Sequence, residues 1–452
     1  MKIEDLADKK ILILGLGAEG TSTLKYIRAK YPKKLISIAD QKKLNELDKE
    51  IRNLITKDKK LELYLGSNYQ KDLNKFDVIF KSPGFQITKP TTVKVISQTQ
   101  VFFDLFRTNI IGVTGTKGKT TTSSLIYKIL KDANLKVHLV GNVGYPPFDF
   151  MKKITKKDIF VYELSSFQLQ DLKISPYIAV FLNLYEEHLN YHGGFKNYIK
   201  AKSNIAKYQS TKDMVIFNAD SEIVNRVVNR YKANKVAFSL KGKLKANTYV
   251  NGEWLFSGGE KVLKINETKL RGKFNLNNIL AAVSCAKLFY IPNRSIAHSV
   301  KVFEPLEHRL QYVGNFGGIN FYDDSIATIP EATIAALETL KPNVATLMVG
   351  GYDRGINFSH LSKKIIKEKV QNIILFPQTG KKILDEIKKQ RDYVPKHFFV
   401  KNMKDAVQIA AKNTEKGKIC LLSPASSSFN LFKNYKDRGE QFKKEVKKIA
   451  GY

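Results

Sequence analysis

A glycine-rich turn in the first third of the chain constrains the fold more than any other feature. The apolar run 110–113 leads into Thr-Gly-Thr-Lys-Gly-Lys-Thr-Thr at residues 114–121, and a helical pattern follows over residues 123–130. Glycine lets backbone N–H groups close around phosphate oxygens, and the positive end of a helix favours an anion. Lys119 would reach the β- and γ-phosphates of a nucleotide, and the hydroxyl of Thr120 would ligate Mg²⁺. The pattern therefore predicts ATP or GTP binding at a strand-to-helix turn.

Length and composition bound the class of protein. With 452 residues, 43% of them hydrophobic, the chain can bury several cores, and its length predicts two to four domains. It contains no apolar run near the ~20 residues that span a bilayer, so we expect no membrane insertion. The apolar run after Glu4 and Asp5 indicates a strand and not a secretory signal. The two cysteines, Cys285 and Cys420, lie in apolar helical and strand patterns, so we expect buried thiols and a cytoplasmic protein.

The formal net charge of +34 could serve nucleic-acid binding. The lysines, however, are scattered along amphipathic patterns such as residues 362–367 and 383–389, where they would form solvated helix faces. The chain carries no homeodomain, zinc-finger, RRM or KH signature. We therefore expect small-molecule partners, and a nucleic-acid-binding ATPase is the alternative.

A second glycine turn lies near the N-terminus. Strand 10–14 enters Gly-Leu-Gly-Ala-Glu-Gly at residues 15–20, a helix is predicted from Thr21, and strand 35–39 ends at Asp40. A G-x-G-x-x-G turn followed by an acid 20 residues later is typical of a dinucleotide-binding unit. Taken alone, it predicts an NAD(P)-dependent oxidoreductase; the other interpretation is that the glycines serve only close packing.

Two further predicted strands end in polar residues that suit metal or phosphate binding. Strand 159–162 ends at Glu163, and strand 178–182 leads towards His188. Ligands of parallel sheets gather outside the carboxyl ends of the strands, so Lys119, Glu163 and His188 should face one crevice. Carboxylate and imidazole groups can complete a Mg²⁺ or phosphate site, although each could also be an ordinary helix-start carboxylate or loop histidine.

The last third of the chain repeats the alternating pattern. Predicted strands 343–349, 372–376 and 419–422 end in loops rich in glycine or serine. The predicted fold is α/β with three domains: a Rossmann-like domain at residues 1–106, a P-loop ATPase-like domain at 107–305 and a Rossmann-like domain at 306–452.

Eight motifs in this order resemble those of the Mur ligases, over essentially the whole chain. They are 115–120 (Gly-Thr-Lys-Gly-Lys-Thr), 163–169 (Glu-Leu-Ser-Ser-Phe-Gln-Leu), 187–188 (Glu-His), 201–202 (Ala-Lys), 274–278 (Phe-Asn-Leu-Asn-Asn), 307–309 (Glu-His-Arg), 324–328 (Asp-Ser-Ile-Ala-Thr) and 422–425 (Leu-Ser-Pro-Ala). The resemblance implies a ligase that phosphorylates a carboxylate with ATP and joins the resulting acyl phosphate to an amine. Within the family it favours the addition of glutamate to UDP-N-acetylmuramoyl-L-alanine during peptidoglycan precursor synthesis. D-glutamate is the expected substrate, and L-glutamate is an open alternative.

The resemblance also implies residue roles. The first domain would bind the UDP part of the substrate, so that the dinucleotide-like turn serves UDP. Implied UDP-substrate contacts are Ala18, Glu19, Asp40, Ser82, Gly84, Asn142, Ser165 and Gln168. Implied ATP contacts are Gly115, Thr116, Lys117, Gly118, Lys119, Thr120, Thr121, Asn275, Asn278, Arg309 and Asp324. Two Mg²⁺ ions would be held by Thr120, Glu163, His188 and Lys202, with Lys202 carbamylated by CO₂. The catalytic set would be Lys119, Glu163, His188 and Lys202, in a monomeric enzyme.

The implied glutamate contacts depart from the family pattern. They are Thr328, Arg354, Ser428 and Tyr435. Arg354 stands where the family usually has lysine, Tyr435 where it has phenylalanine, and Ile326 replaces the lysine of Asp-Ser-Lys-Ala-Thr. A guanidinium can grip a carboxylate with two parallel hydrogen bonds, so Arg354 keeps the charge of the site while changing its geometry.

Overall fold

The structure, a computed structural model, describes residues 3–151, 154–242, 246–390 and 393–449. The chain divides into two compact units. The first comprises Met1–Thr268 and Asn277–Val302, and the second comprises Lys269–Leu276 and Phe303–Tyr452. The first unit carries two sheets and the second unit carries one.

The first sheet is parallel throughout and has the order β3-β2-β1-β4-β5. Its central strand β1 is completely buried, with alternate side chains entering two different apolar clusters, which is why its sequence is continuously apolar. The elements are β1 (Ile11–Leu14), α1 (Ala18–Lys30), β2 (Ile36–Asp40), α2 (Lys49–Lys57), β3 (Leu61–Leu65), β4 (Val78–Lys81), β5 (Lys94–Ile96) and α3 (Gln98–Phe106). Helix α1 begins three residues before the predicted Thr21, inside the Gly-Leu-Gly-Ala-Glu-Gly turn.

The second sheet has nine strands in the order β14-β13-β12-β11-β10-β9-β6-β8-β7, parallel except for β13 and β14. The elements are β6 (Ile110–Thr114), α4 (Lys119–Asp132), β7 (Val137–Gly141), β8 (Ile159–Glu163), α5 (Ser166–Gln170), β9 (Ile178–Phe181), α6 (Leu189–His192), α7 (Phe195–Lys207), β10 (Met214–Asn218), α8 (Glu222–Val228), β11 (Asn234–Ser239), β12 (Thr248–Asn251), β13 (Trp254–Ser257), β14 (Glu260–Lys264), α9 (Lys273–Lys287) and α10 (Asn293–Val302). Strand β6, which leads into the phosphate loop, lies between β8 and β9. The loops after these three strands therefore meet at one edge.

The third sheet has the order β15-β16-β20-β17-β18-β19 and is parallel except for the β15–β16 hairpin. The elements are β15 (Gln311–Phe316), β16 (Ile319–Asp323), α11 (Pro330–Leu340), β17 (Val344–Gly351), α12 (Ser359–Lys367), β18 (Asn372–Gln378), α13 (Thr379–Lys388), β19 (Lys396–Phe399), α14 (Met403–Asn413), β20 (Ile419–Leu422) and α15 (Tyr435–Lys448). Strands β16, β20 and β17 are neighbours, which brings together the loops that follow them.

The predicted α/β class with three parallel-type sheets is confirmed. Each sheet lies within one predicted segment, while the exact domain boundaries stay predictions. Cys285 and Cys420 are both buried free thiols, as predicted. Across the described ranges, no helix is long and apolar enough to cross a membrane.

Candidate active site

Asn183, in the loop after β9, holds the phosphate loop in place. Asn183, just beyond β9, accepts a hydrogen bond from the Lys117 N–H at 2.8 Å and donates one to the Lys117 carbonyl at 2.9 Å. Its own carbonyl accepts from the Thr116 N–H at 2.9 Å. These bonds fix the loop before α4 begins at Lys119. The N–H groups of the first helical turn have no partner inside the helix, so this end of α4 can bind an anion.

Two lysines converge on one carbonyl of the loop. Lys119 Nζ donates to the Gly115 carbonyl at 3.0 Å, and Lys202 Nζ, from α7, donates to the same oxygen at 2.9 Å. Lys202 is almost completely buried, with 1% of its surface exposed. Burial first, and then repulsion by Lys119, hold the pKa of Lys202 far below its usual range. Both effects favour the neutral amine of Lys202, and the surroundings of Lys119 suit a negative charge.

Glu163 is the last residue of β8, and only one of its two carboxylate oxygens accepts a hydrogen bond. Its Oε1 accepts a hydrogen bond from the side chain of Asn142 at 3.0 Å, while Oε2 is buried without a hydrogen-bond partner. A buried carboxylate oxygen without a partner is costly in a folded protein. Mg²⁺ is a hard cation that takes oxygen ligands, so the donor set of Glu163 and the half-buried Thr120 hydroxyl fits it.

His188 lies just beyond β9 with a left-handed backbone, φ 56°, and its ring packs against Phe167 at 4.9 Å between centroids. Burial, together with nearby lysines, lowers the pKa of His188, so its ring is neutral and can act as a metal ligand. The adjacent Glu187 forms an ion pair with Lys117 at 2.7 Å. Burial alone would raise the pKa of Glu187, but Lys117, together with Lys119 and His188, outweighs burial and lowers it.

Asn278, from α9, lies directly against the phosphate loop. Gly118 has φ 86°, and a Cβ atom added there would lie 2.2 Å from Asn278 Oδ1. The same oxygen accepts a hydrogen bond from the Thr122 hydroxyl at 3.3 Å. The glycine is therefore needed both for its backbone conformation and for its close approach to Asn278. Thr121 is buried in the first turn of α4, beside these residues.

The first-domain turn is packed as tightly as a G-x-G-x-x-G turn requires. A Cβ atom on Gly20 would lie 1.8 Å from the Gly15 carbonyl, which accepts a hydrogen bond from Ser82 at 2.7 Å. Asp40, at the end of β2, accepts from the Leu16 N–H at 2.8 Å and so anchors the turn. Ala18 is exposed at the start of α1, and Gly84, in the loop after β4, has φ 86° with open space around it. The predicted UDP contacts of this domain thus share one edge of the first sheet.

A hydrogen-bonded chain links this turn to the second sheet. The Gln168 amide donates to Glu19 Oε1 at 2.6 Å, and the Gln168 carbonyl accepts from the N–H and hydroxyl of Ser165 at 2.8 and 3.0 Å. Beside it, the buried Lys81 pairs with Asp171 at 2.9 Å. The sequence placed Glu19, Gln168 and Ser165 in one substrate site, and they do lie together.

Asp324 and Arg309 lie near each other in the second unit. Asp324 follows β16, and its carboxylate accepts from the Ser423 hydroxyl at 2.8 Å and the Leu310 N–H at 3.1 Å. Burial raises the pKa of Asp324 to about 7 despite these bonds and the nearby Arg309. Arg309 Nε is buried and without a hydrogen-bond partner, so this N–H donor is available to a ligand. Asn275, in the first turn of α9, donates to the Arg271 carbonyl at 2.8 Å.

The four predicted glutamate contacts lie on the loops after β16, β17 and β20 and at the start of α15. Arg354 is exposed and donates to the Ser427 hydroxyl at 3.3 Å, next to the buried Ser428. Thr328 and Tyr435 are partly exposed, and the Tyr435 carbonyl accepts a hydrogen bond from Ser325 at 2.8 Å. The adjacency of the three strands brings these loops to one edge of the sheet.

Sequence reasoning missed three residues that hold the sites together: Asn183, Lys81 and Arg438. Arg438, in α15, is fully buried and donates to the Ser325 carbonyl at 2.7 Å and the Ser426 carbonyl at 3.1 Å. Asn183 could have been found, because it ends a predicted strand beside the phosphate loop. Lys81 and Arg438 resemble the many surface lysines and arginines of this basic chain, and no sequence signal distinguishes them.

The fold and these clusters define a phosphate-loop protein with three α/β sheets. Its sequence matches the family descriptions "Mur ligase MurD-like, N-terminal domain" over residues 9–101, "Mur ligase middle domain" over 113–286 and "Mur ligase, glutamate ligase domain" over 308–426. The UDP-N-acetylmuramoylalanine--D-glutamate ligase of Clostridium kluyveri is 35% identical over 449 residues, covering 97% of this chain and 96% of that protein. The protein of the same name from a Geobacillus species is 34% identical over 450 residues, covering 98% of both chains. The chain belongs to the Mur ligase family.

Solved structures agree on the fold. The structure of UDP-N-acetylmuramate-alanine ligase MurC from Thermotoga maritima superimposes with a TM-score of 0.64 at 17% identity, covering 97% of this chain and 99% of that one. MurF ligase from Thermotoga maritima, solved in complex with ADP, gives a TM-score of 0.62 at 16% identity, covering 99% of this chain and 97% of that one. This family membership does not favour the oxidoreductase interpretation of the first glycine turn.

Proposed function

We propose that this protein is a MurD-type ligase, which uses ATP to add D-glutamate to UDP-N-acetylmuramoyl-L-alanine. The observation that carries the proposal is the pocket at Gly115, where two lysines share one carbonyl beside a carboxylate oxygen of Glu163 that has no partner. Full-length similarity to proteins named as D-glutamate ligases supports the choice of amino acid over L-glutamate.

A carboxylate resists attack by an amine because its negative charge repels the nucleophile and an oxide is a poor leaving group. Transfer of the γ-phosphoryl group of ATP to the L-alanine carboxylate gives an acyl phosphate, which the glutamate amine attacks with expulsion of phosphate. Phosphoryl transfer depends chiefly on positioning and charge neutralisation. Lys119 and the first turn of α4 would bind the phosphates, while Asn183 holds the loop in shape.

Thr120, Glu163, His188 and a carbamylated Lys202 would hold the two Mg²⁺ ions. When bound, Mg²⁺ neutralises charge on the phosphate oxygens and orients them for in-line transfer. The neutral Lys202 amine can add to CO₂ with loss of one proton, which forms an N–C bond and replaces a potential cation with a carboxylate-like anion. That anion would lie beside Lys119 and supply an oxygen ligand.

The first glycine turn would bind the UDP-sugar through Ala18, Glu19, Asp40, Ser82 and Gly84. Its diphosphate would lie at the start of α1, because a glycine turn and a helix N-terminus favour phosphate. Asn142, Ser165 and Gln168 would contact the sugar side of the same substrate.

We propose further that Arg309, Asp324, Asn275 and Asn278 serve ATP. Thr328, Arg354, Ser428 and Tyr435 would bind glutamate. Small molecules account for every partner of this scheme, and we propose that the enzyme is a cytoplasmic monomer, testable by light scattering of the purified protein.

The function is tested by measuring phosphate release with UDP-N-acetylmuramoyl-L-alanine, ATP and Mg²⁺, offering D- and L-glutamate separately. We expect release and product only with the D isomer. Lys119→Ala should abolish turnover, whereas Lys128→Ala, on the exposed side of the same helix, should retain it because Lys128 only pairs with Asp132. Equal turnover by the Lys119 variant, or preference for L-glutamate, would overturn the proposal.

Carbamylation is tested separately by ¹³C NMR of the protein in ¹³C-bicarbonate. A carbamate carbon signal should be present in the wild type and absent in Lys202→Arg, because the arginine guanidinium stays protonated. Loss of turnover in Lys202→Arg without any such signal in the wild type would assign Lys202 a role as an amine instead.

A further inference from the structure

Glu19 occupies an unusual place for a carboxylate. It is the second residue of α1, within the glycine turn that would hold the diphosphate of the UDP substrate. Both a carboxylate and a diphosphate are anions, so two ionised groups at the start of one helix would repel each other.

The contacts of Glu19 favour its uncharged form. Oε1 accepts one hydrogen bond from the neutral amide of Gln168 at 2.6 Å, and Oε2 is buried without a hydrogen-bond partner. Within the described residues, no lysine, arginine or histidine nitrogen forms an ion pair with Glu19. The nearest cation that acts on it, Lys81 from β4, is engaged by Asp171 and by the Phe85 carbonyl. A buried carboxyl group with one neutral donor and one oxygen without a partner is stabilised by a proton.

The other charged and titratable groups around Glu19 do not reverse this preference. Tyr162, from β8, faces it with a buried hydroxyl that is bonded to Thr99 at 2.9 Å, and burial keeps the pKa of Tyr162 well above its usual value. Asp149, from the turn packed on α1, is exposed and accepts from Ser22 at 2.6 Å. Burial raises the pKa of Glu19 to about 7, with Gln168 and Lys81 opposing the rise.

We propose that Glu19 takes up a proton when the UDP substrate binds, so that the glycine turn receives the diphosphate without a carboxylate charge beside it. This inference rests on the proposed function, because it names how the substrate site of the first domain accepts a dianion. The proton would thus remove the repulsion between the Glu19 carboxylate and the diphosphate. Its link through Gln168 to Ser165 would connect the protonation state to the helix that carries the second part of the site.

The test is calorimetric titration of the wild-type enzyme with UDP-N-acetylmuramoyl-L-alanine, whose own acidic groups stay ionised between pH 6 and 8. Titration in two buffers of different ionisation enthalpy counts the protons taken up. We expect about 0.9 proton per substrate at pH 8 and about 0.1 at pH 6, because a group with a pKa of about 7 is mostly empty at pH 8 and mostly filled at pH 6. The dissociation constant should rise by up to about tenfold per pH unit above pH 7.

Glu19→Gln, which keeps the shape of the side chain without a titrating proton, should bind with no proton uptake and little pH dependence. Glu50→Gln changes an exposed carboxylate in α2 of the same domain and should behave as the wild type. Heat of binding that is independent of the buffer in the wild type, or uptake that persists in Glu19→Gln, would overturn the inference. Tight substrate binding and normal turnover without proton uptake would contradict this inference alone. Failure to bind the UDP substrate would contradict the proposed function as well.

Discussion

Gly118→Ala tests whether the phosphate loop is built by close packing against α9. The new methyl group has two separate costs. At φ 86° an L-residue loses about 1–2 kcal/mol relative to glycine. Its Cβ atom would also lie 2.2 Å from Asn278 Oδ1, and overpacking of this kind costs about 1–3 kcal/mol. We therefore expect Gly118→Ala to lower the stability of the first unit by about 2–5 kcal/mol.

A matched variant separates the two costs. Gly66 has φ 84°, and the only nearby atom that a Cβ would meet is Lys43 Cγ at the ordinary distance of 3.6 Å. Gly66→Ala should therefore show the backbone cost alone, about 1–2 kcal/mol. Urea unfolding followed by fluorescence of Trp254 reports on the first unit, because this is the only tryptophan and lies in β13. With a slope of about 2–3 kcal/mol per molar urea, the Gly118 variant should unfold about 1 M earlier than the wild type.

Displacement of Asn278 by the new methyl group should also weaken ATP binding. Asn278 must move away from the loop and give up its bond from Thr122, so the KM for ATP should rise at least about tenfold, equivalent to ~1.4 kcal/mol, while the UDP-substrate affinity stays unchanged. If the Gly118 and Gly66 variants unfold at the same urea concentration and bind ATP equally well, Asn278 moves aside without loss of stability and the packing argument is wrong.

Three further predictions concern the second unit. Burial raises the pKa of Asp324 from 3.8 to about 7, so its protonated form stabilises the folded unit fully below pH 4, and this stabilisation is lost as the pH rises through 7. Asp324→Asn should therefore remove a dependence of the free energy of unfolding on pH of up to about 1.4 kcal/mol per pH unit. Pulse proteolysis with peptides mapped to this unit measures that dependence. Arg354→Ala should raise the KM for glutamate about ten- to a hundredfold through loss of a charged hydrogen bond, and Arg354→Lys should restore most of it; an unchanged KM in the alanine variant would remove Arg354 from the site. Arg438→Met should destabilise the unit by about 3–5 kcal/mol because the carbonyls of Ser325 and Ser426 lose their buried donors, and a loss under 1 kcal/mol would show that water or rearrangement replaces them.

The parts of the site that follow from strand ends could be predicted from the sequence. Residues 110–114, 159–163 and 178–181 are short apolar runs, and each leads directly into polar residues. In a parallel sheet their carboxyl ends face the same edge whatever the strand order, so the placement of Lys119 and Glu163 at one edge could be predicted without knowing that order. The order β9-β6-β8 then determined that the three loops are immediate neighbours.

The long-range partners could not be predicted in this way. Glu19 and Gln168 lie 149 residues apart, and their hydrogen bond depends on how the first sheet meets α5. A sequence pattern predicts that a glutamate lies in a turn, but it does not say whether the carboxyl group reaches solvent, a cation or a neutral amide. The ionisation of Glu19 depends on that difference, because the same residue beside a lysine would stay a carboxylate.

The site at Gly115 places two lysines near a carboxylate. Lys119 and Lys202 both donate to the Gly115 carbonyl, and each also donates to one further oxygen, the Thr116 carbonyl and the Thr114 hydroxyl respectively. Glu163 Oε2 lacks a hydrogen-bond donor, so this carboxylate has an acceptor that the protein alone does not use. Burial and the nearby Lys119 favour loss of the Lys202 proton, and the resulting amine is the form that reacts with CO₂. A carbamate there would face Lys119 as an anion, and a cation shared with Glu163 would satisfy both carboxylate groups. We therefore propose that burial of Lys202 serves to favour its neutral amine, and we expect that replacing it with an apolar residue of similar size will preserve the fold while abolishing turnover.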